Sequence, residues 1–284
     1  MKIPIWTVDA FTSKPFSGNP AAVCLLEQEL PDDLKQNIAA EMNISETCFV
    51  TKQKTESFSQ GEKFGLRWFT PTNEVPLCGH ATLAAATVLY QVSKNCNPVI
   101  KFDTLSGVLE AKKKDDKVVL DLPLNAPEAV KQGEFCELVT EVCCGLPVQE
   151  VLLSKSTRKL LIRLADNVTM EQLQKISPAI SRLTEIESSG RVAGVILTAK
   201  NDEFHFISRY FAPWNGIPED PVTGSAHTVL APYWAAELGL QKMVAKQCSP
   251  RGGVLDLALN SGGRIEVAGQ SVIVMEGFIK TMSE

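Results

Sequence analysis

Residues 64–73 read Phe-Gly-Leu-Arg-Trp-Phe-Thr-Pro-Thr-Asn, and residues 206–215 read Phe-Ile-Ser-Arg-Tyr-Phe-Ala-Pro-Trp-Asn. Phe, Arg, Phe, Pro and Asn coincide at an offset of 142, half of the 284-residue chain, and Trp68 stands opposite Tyr210. Two further stations follow in the same order. Cys78-Gly79-His80-Ala81 lies opposite Thr223-Gly224-Ser225-Ala226 at an offset of 145, and Gly107-Val108-Leu109-Glu110 lies opposite Gly253-Val254-Leu255-Asp256 at 146. One such match is within the reach of chance; three in order are not. The growing offset reads as small loop insertions in the second half, which loops tolerate at little cost. The chain is therefore read as two homologous α/β halves related by a pseudo-twofold axis.

Hydrophobic periodicity fills in each half. Ile3–Val8 alternates as a strand, Ser17-Gly18-Asn19-Pro20 is turn chemistry, and Ala21–Leu26 is a short apolar strand. Pro31–Met42 places Leu34, Ile38 and Met42 on one helical face, and Cys48–Lys52 and Lys63–Phe69 read as strands. The segment from about Gly79 to Gln91 is apolar nearly all round, which predicts a central helix wrapped by a curled sheet. Ile100–Leu105 and Val108–Leu122 supply hairpin strands. The second half repeats this order around a helix near Ser225–Leu238, which Pro232 should kink or split. Asn125-Ala126-Pro127 reads as the linker, giving halves of 1–126 and 127–269.

The composition narrows the function classes. Charged residues make up 21% of the chain and hydrophobic ones 44%, and mean hydropathy is +0.01. Disordered, collagenous and coiled-coil classes are thereby excluded. A net charge of −5 and a pI near 5.4 argue against nucleic-acid binding. The one basic run, Lys112-Lys113-Lys114, is answered at once by Asp115-Asp116. Asp9 interrupts the N-terminal apolar stretch before a secretory core forms, and no segment approaches the ~20 residues of a membrane span. The eight cysteines include no Cys-x-x-Cys pair, and the only histidines are His80, His205 and His227. Reduced thiols in a cytoplasmic protein without a metal site are expected. Walker and strand-linked GxGxxG loops are absent, so nucleotide binding has no support.

Each duplicated motif runs from an aromatic, Arg-bearing strand through a Pro-containing loop to a Gly at the start of an apolar helix. Such a start presents backbone N–H groups and the positive end of the helix dipole, which suits a carboxylate or phosphate. For either motif alone, Gly is adequately explained as a helix-entry residue. For both together, the reading is a cleft between the halves that takes a small anionic substrate. His80, directly after Gly79, is better placed for chemistry than His227, which lies further into its helix.

Beyond these features the sequence resembles the PhzF family of phenazine biosynthesis-like proteins, in particular its animal members, over nearly its whole length. The resemblance is carried by Ser17-Gly18-Asn19-Pro20-Ala21, Ser45-Glu46-Thr47, Phe69-Thr70-Pro71 and Glu74-Val75-Pro76-Leu77-Cys78-Gly79-His80-Ala81-Thr82. In the second half it is carried by Arg209-Tyr210-Phe211-Ala212-Pro213, Glu219-Asp220-Pro221-Val222-Thr223-Gly224-Ser225-Ala226-His227 and Gln247-Cys248-Ser249-Pro250-Arg251-Gly252-Gly253. It implies a diaminopimelate-epimerase-like fold, in which each half is a curled, mostly antiparallel sheet around a central helix. It also implies that a C-terminal strand (about 270–284) returns to the first half, and that homodimers form. Characterised members are cofactor-free isomerases that move a proton on a small cyclic carboxylate. Carried over by motif, the catalytic set is Glu46, His80 and Asp220, and the substrate-binding set is Asn19, Gly79, Gly224 and Ser225. Taken alone, Glu46 would read as an exposed loop carboxylate; the resemblance reverses that reading.

Inverting a stereocentre needs two bases, and thiol epimerases of this fold use a Cys at each helix start. The present chain has Cys78 at the first and no thiol between Pro221 and Ser225 at the second. A suprafacial proton shift needs one group, which Glu46 can supply if enclosure raises its pKa toward neutrality. His80 and Asp220 would orient the substrate, and the helix-start N–H groups would hold its carboxylate. A silent protein-binding scaffold of the same fold and a Cys78-dependent thiol racemase are the alternatives.

Overall fold

The computed structural model describes residues 1–53 and 57–281. It comprises two compact units, Met1–Asp121 with Ala268–Glu284, and Leu122–Val267. The residues of the C-terminal strand expected beyond 281 lie outside the described residues.

The first unit contains β1 (Lys2–Ala10), β2 (Asn19–Leu26), α1 (Asp32–Met42), β3 (Glu46–Lys52), β4 (Lys63–Phe69), β5 (Glu74–Val75) and α2 (Gly79–Gln91). β6 (Val99–Thr104), β7 (Gly107–Lys114) and β8 (Lys117–Pro123) follow. The second unit contains β9 (Glu128–Ala129), α3 (Cys136–Cys143), β10 (Val148–Ser154), β11 (Lys159–Leu164), α4 (Met170–Lys175), α5 (Ile180–Ile186) and β12 (Gly194–Lys200). It continues with β13 (Phe206–Phe211), α6 (Gly224–Leu238), β14 (Lys242–Gln247), β15 (Gly253–Asn260) and β16 (Arg264–Gly269). The last strand, β17 (Ser271–Lys280), pairs antiparallel with β1 in the first unit.

The repeat is visible in how the strands pair. In the first unit β1–β2 is antiparallel, β2–β3 parallel, β3–β4 antiparallel, β4–β6 parallel and β6–β7 antiparallel. In the second, β10–β11, β11–β12, β12–β13, β13–β14 and β14–β15 follow the same alternation in the same order. Each unit is thus a mixed, mostly antiparallel sheet.

The central helices explain the curl. Every residue of α2 from His80 to Tyr90 is buried, and the helix packs against β1, β2, β3, β7 and β17. A helix without a polar face must be covered on every side. Leu83, Val88 and Leu89 are wholly buried, each contributing roughly 1.5–3 kcal/mol. In the second unit α6 packs against β11, β14 and β15. α1 ends where Asn43 takes a left-handed conformation (φ 48°) and its N–H caps the Ala39 carbonyl.

Of the kink or split expected at Pro232, the split does not occur: α6 runs unbroken through it. Proline cannot donate to the carbonyl of Thr228, one turn earlier. That carbonyl instead accepts the backbone N–H of Asn125 at 3.0 Å, and Asn125 Nδ2 donates to Thr228 Oγ1 at 3.0 Å. The presumed linker residue therefore repairs the helix.

The duplicated arginines have a structural duty. Arg67 makes a bidentate pair with Glu74 through Nε and Nη2, both at 2.7 Å, and also reaches Asp32. Arg209 pairs with Glu219 through Nε at 2.6 Å and Nη2 at 2.7 Å, and its Nη1 donates to the carbonyls of Leu173, Gln174 and Ile176 at the end of α4. In each unit the fork of a β-strand arginine ties down the loop that leads toward the central helix.

Candidate active site

Glu46 is the first residue of β3, opposite Ala21 of the parallel β2, and Asn19 opens β2. Gly18, with φ +67°, feeds β2; a Cβ there would lie 2.2 Å from the Ala10 carbonyl, so the turn accepts only glycine. α2 starts beside these strand ends. Cys78 is its extended N-cap residue, and Thr82 braces the start by donating Oγ1 to the Cys78 carbonyl at 2.6 Å.

These elements gather a buried cluster. His80 Nε2 lies 3.0 Å from Glu46 Oε2. The two buried groups are thus within ion-pair distance. His80 Nδ1 lies 3.2 Å from Asn19 Nδ2 and 3.4 Å from Cys78 Sγ. Ser45 Oγ donates to Asn19 Oδ1 at 3.1 Å, which turns the amide nitrogen toward the imidazole. Neutral His80 accepts at Nδ1 and carries its proton on Nε2; the imidazolium also has a proton there. In both states an N–H faces the Glu46 carboxylate.

The electrostatics correct a second expectation. Burial is the largest influence on Glu46 and pushes its pKa up. The charge of His80 and the contacts of His80 and Cys78 together outweigh burial and hold the carboxyl below its ordinary range. His80 is affected reciprocally. Burial lowers its pKa, but neighbouring Cys78 and Glu46 raise it well above the usual imidazole value. Glu46 is therefore held as a carboxylate rather than as a carboxyl poised near neutrality. Burial, followed by the Glu46 charge, pushes the Cys78 thiol up to about 11, so no low-pKa thiolate forms at this helix start. Glu46, Cys78 and His80 each offer a metal-ligand atom, all within 4.8 Å of one another.

In the second unit Asp220 lies in the loop before α6. Thr223, in the place of Cys78, is again an extended N-cap residue (φ −118°, ψ 101°, against −144° and 112°). Its Oγ1 donates to Asp220 Oδ2 at 2.5 Å. Buried Gln247 locks this loop. Its Oε1 accepts the Thr223 N–H at 2.8 Å, and its Nε2 donates to the Asp220 carbonyl at 2.6 Å and to Thr223 Oγ1 at 3.2 Å. Gly224 and half-buried Ser225 begin α6. His227 is wholly buried, its Nδ1 lies 2.8 Å from the Thr223 carbonyl, and burial pulls its pKa down to about 4. Thr82 makes the corresponding bond in the first unit, so His227 braces a helix start.

Sequence reasoning missed Gln247 and Thr223 as loop-setting residues and Ser45 as the group that orients Asn19. The Gln-Cys-Ser-Pro-Arg-Gly-Gly run was the available signal for the first. It also missed the counterpart of Glu46 in the second copy. Thr47 pairs with Phe69 in the first unit and Val195 with Phe211 in the second, so Glu46 corresponds to Gly194. A Cβ at Gly194 would lie 2.2 Å from the Tyr210 hydroxyl, which fills the place of the carboxylate.

Among the described residues, no helix is long and apolar enough to cross a membrane. Comparisons with known proteins agree on the fold and the family. The chain is 50% identical to a phenazine biosynthesis-like domain-containing protein of Bos taurus (98% of this chain, 99% of the relative). It is 44% identical to an uncharacterized isomerase of Pseudomonas aeruginosa (99% of each chain). A crystal structure of a PhzF-family phenazine biosynthesis protein from Enterococcus faecalis superposes with a TM-score of 0.88 at 38% identity, covering 99% of this chain and 100% of that one. A "predicted epimerase" of Pseudomonas aeruginosa shares the fold at a TM-score of 0.71 and 21% identity, covering 99% of this chain and 100% of that one. The family model for phenazine biosynthesis-like protein, PhzC-PhzF, matches residues 8–277, and with relatives at this identity over this span the chain belongs to that family.

Proposed function

We propose that the protein is a cofactor-independent isomerase that moves a proton on a small carboxylate-bearing substrate, with Glu46 as the single acid/base group. The observation that carries the reading is the buried Glu46 carboxylate, whose Oε2 lies 3.0 Å from His80 Nε2. Glu46 takes a proton from a substrate carbon and returns it to a neighbouring atom on the same face. A base held below its ordinary pKa is fully ionised but weak. The substrate C–H must therefore be acidified, and the first-turn N–H groups of α2 at Gly79 supply that by stabilising developing negative charge. The His80 N–H holds the carboxylate in place. Asn19 fixes the His80 ring, and Asp220, Gly224 and Ser225 orient the substrate. The correspondence of Glu46 with Gly194 supports a one-base shift over a two-base inversion. The elevated Cys78 pKa argues against a thiol mechanism. The Pseudomonas relative named as an isomerase supports the reaction class. A homodimer belongs to the same proposal and is checked by sedimentation.

The test is proton exchange from D2O into a panel of unsaturated and cyclic carboxylic acids, followed by NMR. Glu46→Gln should lower exchange by roughly 10²–10⁴-fold, while Cys78→Ser should keep it. Wild-type exchange in Glu46→Gln would sink the proposal. Exchange lost only in Cys78→Ser would transfer the role to the thiol.

A further inference from the structure

We infer that the second unit carries a receptor for a small monocarboxylate, in which the Lys159 ammonium and the Tyr210 hydroxyl each donate to one carboxylate oxygen. The strand register points to the place. Lys159, the first residue of β11, pairs with Gly194 of the parallel β12, as Ala21 pairs with Glu46 in the first unit. Tyr210 of β13 stands where the first unit has Trp68. The strand ends that present a carboxylate in the first unit thus present an ammonium and a phenol in the second. Gly194 makes room for the phenol, since a Cβ there would lie 2.2 Å from the Tyr210 hydroxyl. Leu160, Ile162 and Leu164 belong to the apolar core, so Lys159 and Arg163 alternate onto the opposite face. That face holds α6, with the Arg163 guanidinium 4.4 Å from the centroid of the Trp234 ring.

Both donors are unspent. Lys159 is 9% exposed and Tyr210 5%, yet among the described residues neither the ammonium nor the hydroxyl makes a hydrogen bond or an ion pair. The ammonium lies 5.7 Å from the Tyr210 ring centroid, a contact that uses its charge and leaves its N–H groups to donate elsewhere. Buried ammonium and phenol groups ordinarily have hydrogen-bond partners, and a bound anion would supply both. The charged groups that act on Lys159 are Asp220, which favours the ammonium, and Arg158, which opposes it. Burial, followed by the charge of Asp220, keeps the Tyr210 hydroxyl protonated and able to donate. Asp220 also selects the occupant. A single ammonium offsets a single negative charge, and a phosphate dianion would set a second charge against Asp220. A monocarboxylate offers two acceptor oxygens and one charge.

That the occupant is the carboxylate of an isomerase substrate rests on the proposed function; the binding itself does not, and its test needs no turnover. Acetate is the probe, added to the full chain labelled with ¹³C at lysine Cε, and the Lys159 signal is assigned by its loss in Lys159→Met. Without acetate the signal should titrate near pH 8. Saturating acetate should raise that midpoint by about 1 pH unit, which is a tenfold preference for the ammonium over the free amine. Inorganic phosphate at the same concentration should move it far less. Saturation transfer to the acetate methyl group gives the affinity. It should fall by about 10-fold or more in Lys159→Met and in Tyr210→Phe, the second of which keeps the ring beneath the ammonium. Thermal melts confirm that each variant is folded. A midpoint unmoved by acetate, an affinity unchanged in either variant, or an equal response to phosphate overturns the inference. Acetate binding without any detectable proton exchange would count against the isomerase reading and leave the carboxylate site standing.

Discussion

His227 should make the fold acid-sensitive in a way that one substitution removes. The ring is wholly buried, stacks on Phe206 at a centroid distance of 6.0 Å, and bonds through Nδ1 to the Thr223 carbonyl. Nε2 has no hydrogen-bond partner, so a second proton would be buried unpaired. Burial accordingly lowers the pKa from 6.5 to about 4. The folded state thus binds this proton more weakly than the unfolded chain. No stability is lost above pH 6.5; loss begins as pH falls through 6.5 and is complete below about 4. Between pH 7.5 and 5 these pKa values give a loss of about 2 kcal/mol, rising to about 3 kcal/mol near pH 4. Thermal melts should register the first figure as a fall of roughly 4–8 °C. Other groups titrate over the same range, so the comparison is with His227→Gln, whose amide can still donate to Thr223 and does not titrate. The variant starts from its own baseline, and its melting temperature should fall less over this interval by that amount. With three histidines in the chain, NMR can assign the His227 ring and titrate it directly. Parallel pH dependences in the two proteins, or a ring titration midpoint above pH 6, would refute the reasoning.

Three further outcomes are expected. Lys159 is buried and its ammonium sits 5.7 Å above the Tyr210 ring; burial, its largest influence, brings its pKa to about 8 despite the charge of Asp220. Lys159→Met should therefore stabilise the protein at pH 7 by about 1–3 kcal/mol, a gain that fades as wild-type Lys159 deprotonates above pH 8; a lower melting temperature at pH 7 would contradict this. Pro232→Ala should change stability by less than about 1 kcal/mol instead of recovering the ~3 kcal/mol of an ordinary internal helix proline, because Asn125 already serves the Thr228 carbonyl; a urea titration decides. Gly194→Ala should destabilise by about 1–3 kcal/mol, because its Cβ would overlap Tyr210. Adding Tyr210→Leu should recover part of the loss, and strict additivity in the double-mutant cycle would show that the two residues do not compete for space.

Much of the fold was legible because its signals are local or repetitive. An apolar helix without a polar face announces its own burial, and a duplicated strand–loop–helix motif announces two units. The failures came where an effect depends on residues distant in sequence. The kink or split expected at Pro232 follows from local chemistry, and the bond that keeps the helix continuous comes from Asn125, more than a hundred residues earlier. The expected rise in the Glu46 pKa follows from enclosure alone, and its reversal needs His80 and Cys78 from another element. Gln247 was hidden for the same reason: nothing at position 247 reveals that its amide reaches Asp220 and Thr223.

Divergence between the copies separates scaffold from chemistry. Where both units need the same mechanical function, they keep the bond even when the residue changes. Arg67–Glu74 matches Arg209–Glu219, and Thr82 on the Cys78 carbonyl matches His227 on the Thr223 carbonyl. A histidine doing a threonine's work is a brace, and its lowered pKa follows from that placement. Where the units differ in kind, the change touches the ionisable groups of the buried cluster. Glu46 becomes Gly194 with Tyr210 in the vacated space, His80 becomes Ser225, and Cys78 becomes Thr223. All three ionisable members of the cluster are thus confined to the first unit. A two-base inversion would call for a proton-transfer group at each helix start, and under the proposed function this chain has one in the first unit and only the Thr223 hydroxyl in the second. Installing the missing base tests the point: Thr223→Cys should confer no stereoinversion, because Gly194 and Ser225 supply neither carboxylate nor imidazole to activate the new thiol, and inversion by this variant would refute the one-base reading.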